Sequence, residues 1–226
     1  MTTHATTPTE HDPERIDRLR EQLLTVVREH AYLRLPEPIQ LSSGEMSRDF
    51  VDAKLGLSQG RDLRLACELL QLVAARRGID FDAVGGLTLG ADQFAHGLAI
   101  VADTRWFVVR KQAKGRGTDR LVEGCRLDHD TRVLLVDDVV TTGGSIQKAY
   151  AEVLQTGAQV VLAATLVDRG DVAREFFARE GVPYEPLLTY EDLGVVNRGD
   201  RRHGVPVSSR EPAWTGRRAR CRGPRT

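Results

Sequence analysis

The residues best suited to chemistry cluster between Arg132 and Ser145, RVLLVDDVVTTGGS. Asp137 and Asp138 are adjacent carboxylates; Val139 and Val140 follow, then Thr141, Thr142, Gly143, Gly144 and Ser145. Small residues and hydroxyls let a backbone approach a ligand closely, so several N–H groups and side-chain donors converge on one phosphate at a helix N-terminus. The helix dipole supplies only about 0.3–1 kcal/mol at an exposed end, so direct hydrogen bonds must provide most of the grip. Carboxylates repel phosphate. The acidic pair must therefore face another part of the ligand, either sugar hydroxyls or a metal ion that also holds a diphosphate. The implied ligand is a phosphorylated sugar.

Such a site needs a strand before it and a helix after it. Val133 to Asp137 opens as a run of β-branched and leucine side chains, the pattern of a strand buried on both faces of a parallel sheet. Ile146, Tyr150, Val153 and Leu154 then recur at helical spacing. The chain begins its regular structure at Asp12-Pro13, a cap and first-turn proline, with an amphipathic helix ending near His30. Within residues 35–54, two prolines, Ile39 to Leu41, Ser42-Ser43-Gly44 and the alternating Phe50 to Ala53 predict a hairpin or pair of short strands. Leu63 to Arg77 reads as a helix stopped by Gly78, and Phe81 to Gly85 as a strand. Gly85 to Asp92, GGLTLGAD, is a glycine-rich loop opening a helix to about Val101, and so a second potential anion site. Trp106 to Arg110, Gln159 to Val167 and Tyr184 to Thr189 complete the predicted strands, with a helix from Val172 to Arg179. This alternation predicts an α/β domain: a mostly parallel sheet of about five strands flanked by helices, with its site at the strand C-termini.

Composition sets the outer bounds. At 226 residues the chain suits one domain, expected over residues 13–196, with polar residues 1–12 as a disordered tail. Lys plus Arg equals Asp plus Glu, so overall charge gives no reason for a nucleic-acid or membrane partner. The exception is residues 197–226, where nine arginines face two acids; a disordered extension is expected there, with polyanion binding as the alternative. Cys67, Cys125 and Cys221 are far apart and lack metal-ligand spacing, which fits a reducing cytoplasm. No apolar run approaches membrane-spanning length, and the N-terminus lacks the pattern of a signal peptide, so a soluble protein is expected. Arg110 to Arg120, RKQAKGRGTDR, holds five basic residues and two glycines with almost nothing apolar, and reads as a mobile surface loop.

The segment VLLVDDVVTTGGS resembles the fingerprint of the type I phosphoribosyltransferases, which bind 5-phosphoribosyl 1-diphosphate (PRPP). That resemblance implies the type I phosphoribosyltransferase fold, with Asp137 and Asp138 near the ribose hydroxyls. It also implies Val139, Val140, Thr141, Thr142, Gly143, Gly144 and Ser145 around the 5-phosphate. Three further segments are similar to orotate phosphoribosyltransferases in the same order. The first is LSSG with Phe50, part of a small N-terminal hood in which the aromatic residue packs on the pyrimidine. The second is VGGLTLGAD, with Thr88, Leu89 and Gly90 in the diphosphate loop. The third is RKQAKGRG, the catalytic loop that closes over a neighbouring subunit, with Arg110, Lys111 and Lys114 as its basic contacts.

The resemblance implies transfer of a phosphoribosyl group from PRPP to orotate, giving orotidine 5′-monophosphate and diphosphate. Lys114 and Arg116 would neutralise the departing diphosphate, while Asp137 and Asp138 favour the positive charge that develops on the ribose. Arg169, with Thr141, would receive orotate. Magnesium would be held mainly through the diphosphate, with Asp137 as its candidate protein ligand, and the shared loop implies a homodimer. Three positions depart from the family. Ser42 stands where some bacterial members have lysine, Gln112 where an acid is usual, and Arg116 where a histidine is usual. Arginine stays charged, so position 116 cannot transfer a proton. The altered loop motivates one alternative, a different nucleobase or heterocycle as acceptor; the arginine tail motivates another, a PRPP-binding regulator of nucleic acid, against which the presence of the Lys114 loop argues.

Overall fold

The structure is a computed structural model, and it describes residues 13–41, 44, 46–112 and 120–195. The chain starts with helix α1 (Pro13–Val26), continues through one π-helical turn (Val27–Ala31), and enters strand β1 (Tyr32–Gln40). Strand β2 (Met46–Val51), the short helix α2 (Ala53–Gly56) and helix α3 (Gly60–Arg76) come after it. Next come β3 (Ala83–Leu87), α4 (Asp92–Val101), β4 (Arg105–Val109) and β5 (Val122–Gly124). The last elements are β6 (Arg132–Val140), α5 (Gly144–Gln155), β7 (Gln159–Asp168), α6 (Val172–Glu180) and β8 (Tyr184–Thr189).

Six strands form the main sheet in the order β5-β4-β3-β6-β7-β8, one more than the sequence predicts. The extra member is β5, whose three residues pair antiparallel with β4; the other neighbouring pairs are parallel. A three-residue strand is too short to leave a periodic trace, which is why it escapes a sequence reading.

The buried apolar strand at β6 has the two-faced environment its composition demands. Leu134 and Val136 join a core with α1, α3 and α4, while Val133 and Leu135 join a second core with Ile146, Ala149 and Val153 of α5 and Phe177 of α6. Successive strand residues face opposite sides, so a strand between two helical layers must be apolar throughout. This strand does not end at the acidic pair, as the sequence suggested, but runs on to Val140. Asp137 and Asp138 are thus held by ladder geometry, with Asp137 registered against Thr165 of β7.

Strand β3 also differs from expectation. Gly85 and Gly86 lie inside it, not in the turn, and the loop itself shortens to Thr88–Ala91. A Cβ on Gly86 would run into the Val136 carbonyl oxygen, so the glycine is needed for close packing of neighbouring strands.

β1 and β2 form the separate two-stranded antiparallel hood. It begins at Tyr32, three residues before the predicted segment, and its register shifts between Arg34 and Ile39, the stretch that contains Pro36 and Pro38. Proline cannot donate to a ladder and is confined to such irregular positions.

Candidate phosphosugar site

The C-terminal ends of β3 and β6 bring the two sequence-predicted anion loops together. Gly90, in the loop after β3, lies directly against the acidic pair: a Cβ built on it would sit 2.5 Å from Asp138 Oδ1 and 3.0 Å from Asp137 Oδ1. Only a residue without a side chain permits this approach. Thr88 Oγ1 donates to Asp92 Oδ2 at 2.8 Å, tying the loop to the first turn of α4, and its backbone N–H donates to the Val109 carbonyl. The Thr88–Leu89 peptide is cis, and Leu89 is exposed.

Asp137 is only 4% exposed, and its Oδ1 accepts a hydrogen bond from the Asp138 N–H at 2.9 Å. Burial pushes its carboxyl well above the usual carboxylate range, and the neighbouring charge of Asp138 pushes the same way. The positive charge of Lys111 opposes this, which places the first part of the basic loop within electrostatic reach of the pair. Asp138 Oδ1 accepts from the Val139 N–H at 2.8 Å, and its main-chain carbonyl accepts from Thr165 Oγ1 at 3.1 Å.

Beyond β6, Thr141 is half-buried, while Thr142, Gly144 and Ser145 are exposed at the start of α5. Gly143 has a left-handed φ of 73° and immediately precedes that helix. The result is a turn of small and hydroxyl residues at a helix N-terminus, the place where the sequence reading expects an anion to bind. Val139 is half-buried, whereas the Val140 side chain is in the second core and its carbonyl accepts from the Arg169 N–H, so Val140 offers the turn its backbone alone.

Arg169 comes directly after β7 and is thereby fixed next to the turn. Its guanidinium carbon lies 4.5 Å over the Tyr190 ring and the residue is buried. The adjacent Asp168 accepts from Tyr184 Oη at 2.9 Å and from the Gly170 N–H at 3.1 Å, while burial raises its pKa. Phe50 stands half-buried on β2, paired in register with Leu33 of β1.

At the base of the basic segment, Arg110 Nη1 donates to Glu123 Oε1 at 3.3 Å and its N–H to the Leu121 carbonyl. Lys111 is exposed, and its carbonyl accepts from Lys148 Nζ at 2.6 Å. Lys114 and Arg116 lie outside the described residues, as do Ser42, residues 1–12 and the arginine-rich tail. One group at the site carries no sequence signal: Lys54, whose Nζ lies 3.5 Å from Asp138 Oδ2. It comes from α2, 84 positions away in the chain, and no local motif marks it.

The chain is similar to known proteins in sequence and fold. The family profile described as "Phosphoribosyl transferase domain" matches residues 64–175, from α3 into α6. An orotate phosphoribosyltransferase from Corynebacterium glutamicum is 40% identical over 178 residues, covering 78% of this chain and 94% of that protein. Another from Pyrococcus furiosus is 35% identical over 175 residues, covering 77% of this chain and 95% of that one. The crystal structure of Mycobacterium tuberculosis H37Rv orotate phosphoribosyltransferase in complex with PRPP superposes with a TM-score of 0.64 at 34% identity, covering 78% of this chain and 99% of that chain. With the acidic pair, the glycine-rich loop and the small-residue turn assembled on one sheet edge, and with relatives matched over nearly their whole length, this chain belongs to the orotate phosphoribosyltransferase family, with the type I phosphoribosyltransferase fold.

Proposed function

We propose that the chain transfers the phosphoribosyl group of PRPP to orotate, forming orotidine 5′-monophosphate and diphosphate in pyrimidine nucleotide synthesis. The observation that carries this reading is the packing of Gly90 against Asp137 and Asp138. It supports a site in which the loop Thr88–Gly90 receives the diphosphate directly beside a carboxylate pair that binds the ribose. The turn Thr141–Ser145 receives the 5-phosphate, Thr88–Gly90 the diphosphate, and Asp137 with Asp138 the ribose hydroxyls. Arg110, Lys111, Lys114 and Arg116 attract the diphosphate and stabilise it as it leaves. Orotate lies against Phe50 and Thr141, with its carboxylate at Arg169, whose rigid fork suits a planar acid.

The reaction is displacement at the anomeric carbon with an oxocarbenium-like transition state. Carboxylates close to the ribose favour that developing positive charge, and cations around the diphosphate favour its departure. Magnesium fits this donor set, held mainly through the diphosphate with Asp137 as the candidate protein ligand. A carboxylate such as Asp137 and the diphosphate oxygens together are a typical hard-cation environment. When bound, the ion neutralises diphosphate charge.

A homodimer is part of the proposal. Ile100 is 77% exposed on α4, one turn from His96, whose ring meets the 41%-exposed Trp106 edge-on at 4.5 Å. That apolar face suits a second copy of the chain, and Ile100→Asp should shift the sedimentation profile towards monomer. A cytoplasmic setting agrees with the free thiols of Cys67 and Cys125.

The test is loss of orotate absorbance with purified protein, PRPP and magnesium, alongside Lys114→Ala and Arg169→Ala. Turnover that falls by about 10²-fold or more in the Lys114 variant is expected. Wild-type protein that binds PRPP and leaves orotate unconsumed would overturn the acceptor assignment.

A further inference from the structure

Lys54 belongs to none of the motifs that announce the site, yet it reaches its most charged point. Its Nζ lies 3.5 Å from Asp138 Oδ2 and 3.9 Å from Asp52 Oδ1. The other oxygen of Asp138 is already fixed by the Val139 N–H at 2.8 Å. One side of this carboxylate is thus held by its own strand, and the other faces an ammonium delivered from the end of the hood.

The base from which Lys54 extends is firmly seated. The Asp52 N–H donates to the Ala31 carbonyl at 2.9 Å, and Asp52 Oδ1 caps α2 by accepting from the Leu55 N–H at 3.2 Å. Ala53 is fully buried, and Gly56 packs so tightly on Ala31 that a Cβ would collide with it. The Lys54 side chain is itself 54% exposed, so its contact with Asp138 would add little as a surface ion pair for stability alone. Its value lies in where it is. Two adjacent carboxylates, one of them buried, create a field that opposes any phosphorylated ligand, and an ammonium in contact with one of them reduces that field.

We propose that Lys54 is a positioning residue for PRPP: it orients the Asp138 carboxylate towards the ribose hydroxyls and offsets the negative charge of the acidic pair as the phosphorylated sugar enters. This rests on the assignment of Asp138 to the ribose. It also makes the hood part of the phosphosugar site, since α2 comes directly after the strand that carries Phe50.

The experiment is a set of steady-state kinetics and calorimetric PRPP titrations on the full chain. The variants are Lys54→Ala, Lys54→Gln, Lys54→Arg, Asp138→Asn and the double variant Lys54→Ala with Asp138→Asn. Both uncharged substitutions should raise the KM for PRPP by about ten-fold, equivalent to about 1.4 kcal/mol. The KM for orotate should stay within about two-fold, and Lys54→Arg should recover most of the loss. In the Asp138→Asn background, Lys54→Ala should have no further effect, because the lysine acts through that carboxylate.

An unchanged KM for PRPP in both uncharged variants would overturn the proposal. So would an equal penalty with and without Asp138, or an effect confined to orotate. Titration needs no turnover, so a wild-type protein that ignores orotate yet binds PRPP in a Lys54-dependent manner would discard the acceptor assignment and keep this one.

Discussion

The two ends of β6 hold charged side chains in opposite ways. At its start, Arg132 Nη2 donates to Asp82 Oδ1 at 2.9 Å, while its Nε and backbone N–H donate to Asp82 Oδ2 at 3.1 Å and 2.9 Å. These bonds hold the Asp82 carboxyl down to about 2. At its far end, Asp137 is driven upwards by burial and by the like charge of Asp138. The same strand therefore carries a satisfied ion pair at one edge of the sheet and a strained acidic pair at the other. The first arrangement lowers the energy of the folded chain; the second raises it, the pattern expected of a binding or catalytic site.

The sharpest way to break this contrast is to neutralise the strained end. Replacing both Asp137 and Asp138 by Asn should lower kcat/KM on the order of 10³-fold or more, while thermal denaturation shows Tm unchanged or raised. A Tm that fell along with activity would mean that the pair is part of what holds the sheet together. Next in size is Gly90→Ala, whose methyl group would push into Asp138; a misplaced carboxylate should cost about 10²-fold in kcat/KM with a small change in Tm.

The opposite pattern is expected at the start of the strand. Arg132→Ala should lower Tm by a few degrees and leave the kinetic constants of the folded enzyme as they were, because it lies at the start of β6, at the opposite end of the strand from the proposed site. The smallest effects are those of pH. Asp82 has a folded pKa below its unfolded value of about 3.9, so its contribution is present above that value and is lost as pH falls towards about 2. Asp137 has the reverse sign: its folded pKa is raised, so its contribution is complete below the unfolded value and declines as pH rises through the folded one. Denaturation curves of Asp82→Asn and Asp137→Asn across pH should therefore flatten at opposite ends of the scale.

Much of this was legible in the sequence because the signals are local. The run Val133 to Val136 has the pattern of a strand between two apolar layers, and Thr141 to Ser145 that of a small-residue turn leading into a helix. Legibility stopped where the determinant is another part of the chain. Gly86 reads as a loop residue until the Val136 carbonyl is seen pressing on β3. Asp137 and Asp138 read as the end of a strand until Thr165 and the ladder with β7 extend it. Lys54 is an ordinary lysine in sequence, and only the fold brings it to Asp138.

The short antiparallel strand β5 has a consequence for how the family could vary. Phe107 pairs with Gly124, Val109 with Val122, and the Arg110 N–H reaches the Leu121 carbonyl, so the chain is clasped to itself immediately before and after the basic segment. The rest of the domain meets two adjoining anchor points, whatever is strung between them. By loop-closure entropy alone, each doubling of the chain length between two such anchors costs about 0.6 kcal/mol. Insertions and deletions between Lys111 and Arg120 are thus nearly invisible to the sheet, and natural selection can lengthen, shorten or rewrite that stretch without renegotiating the fold beneath it.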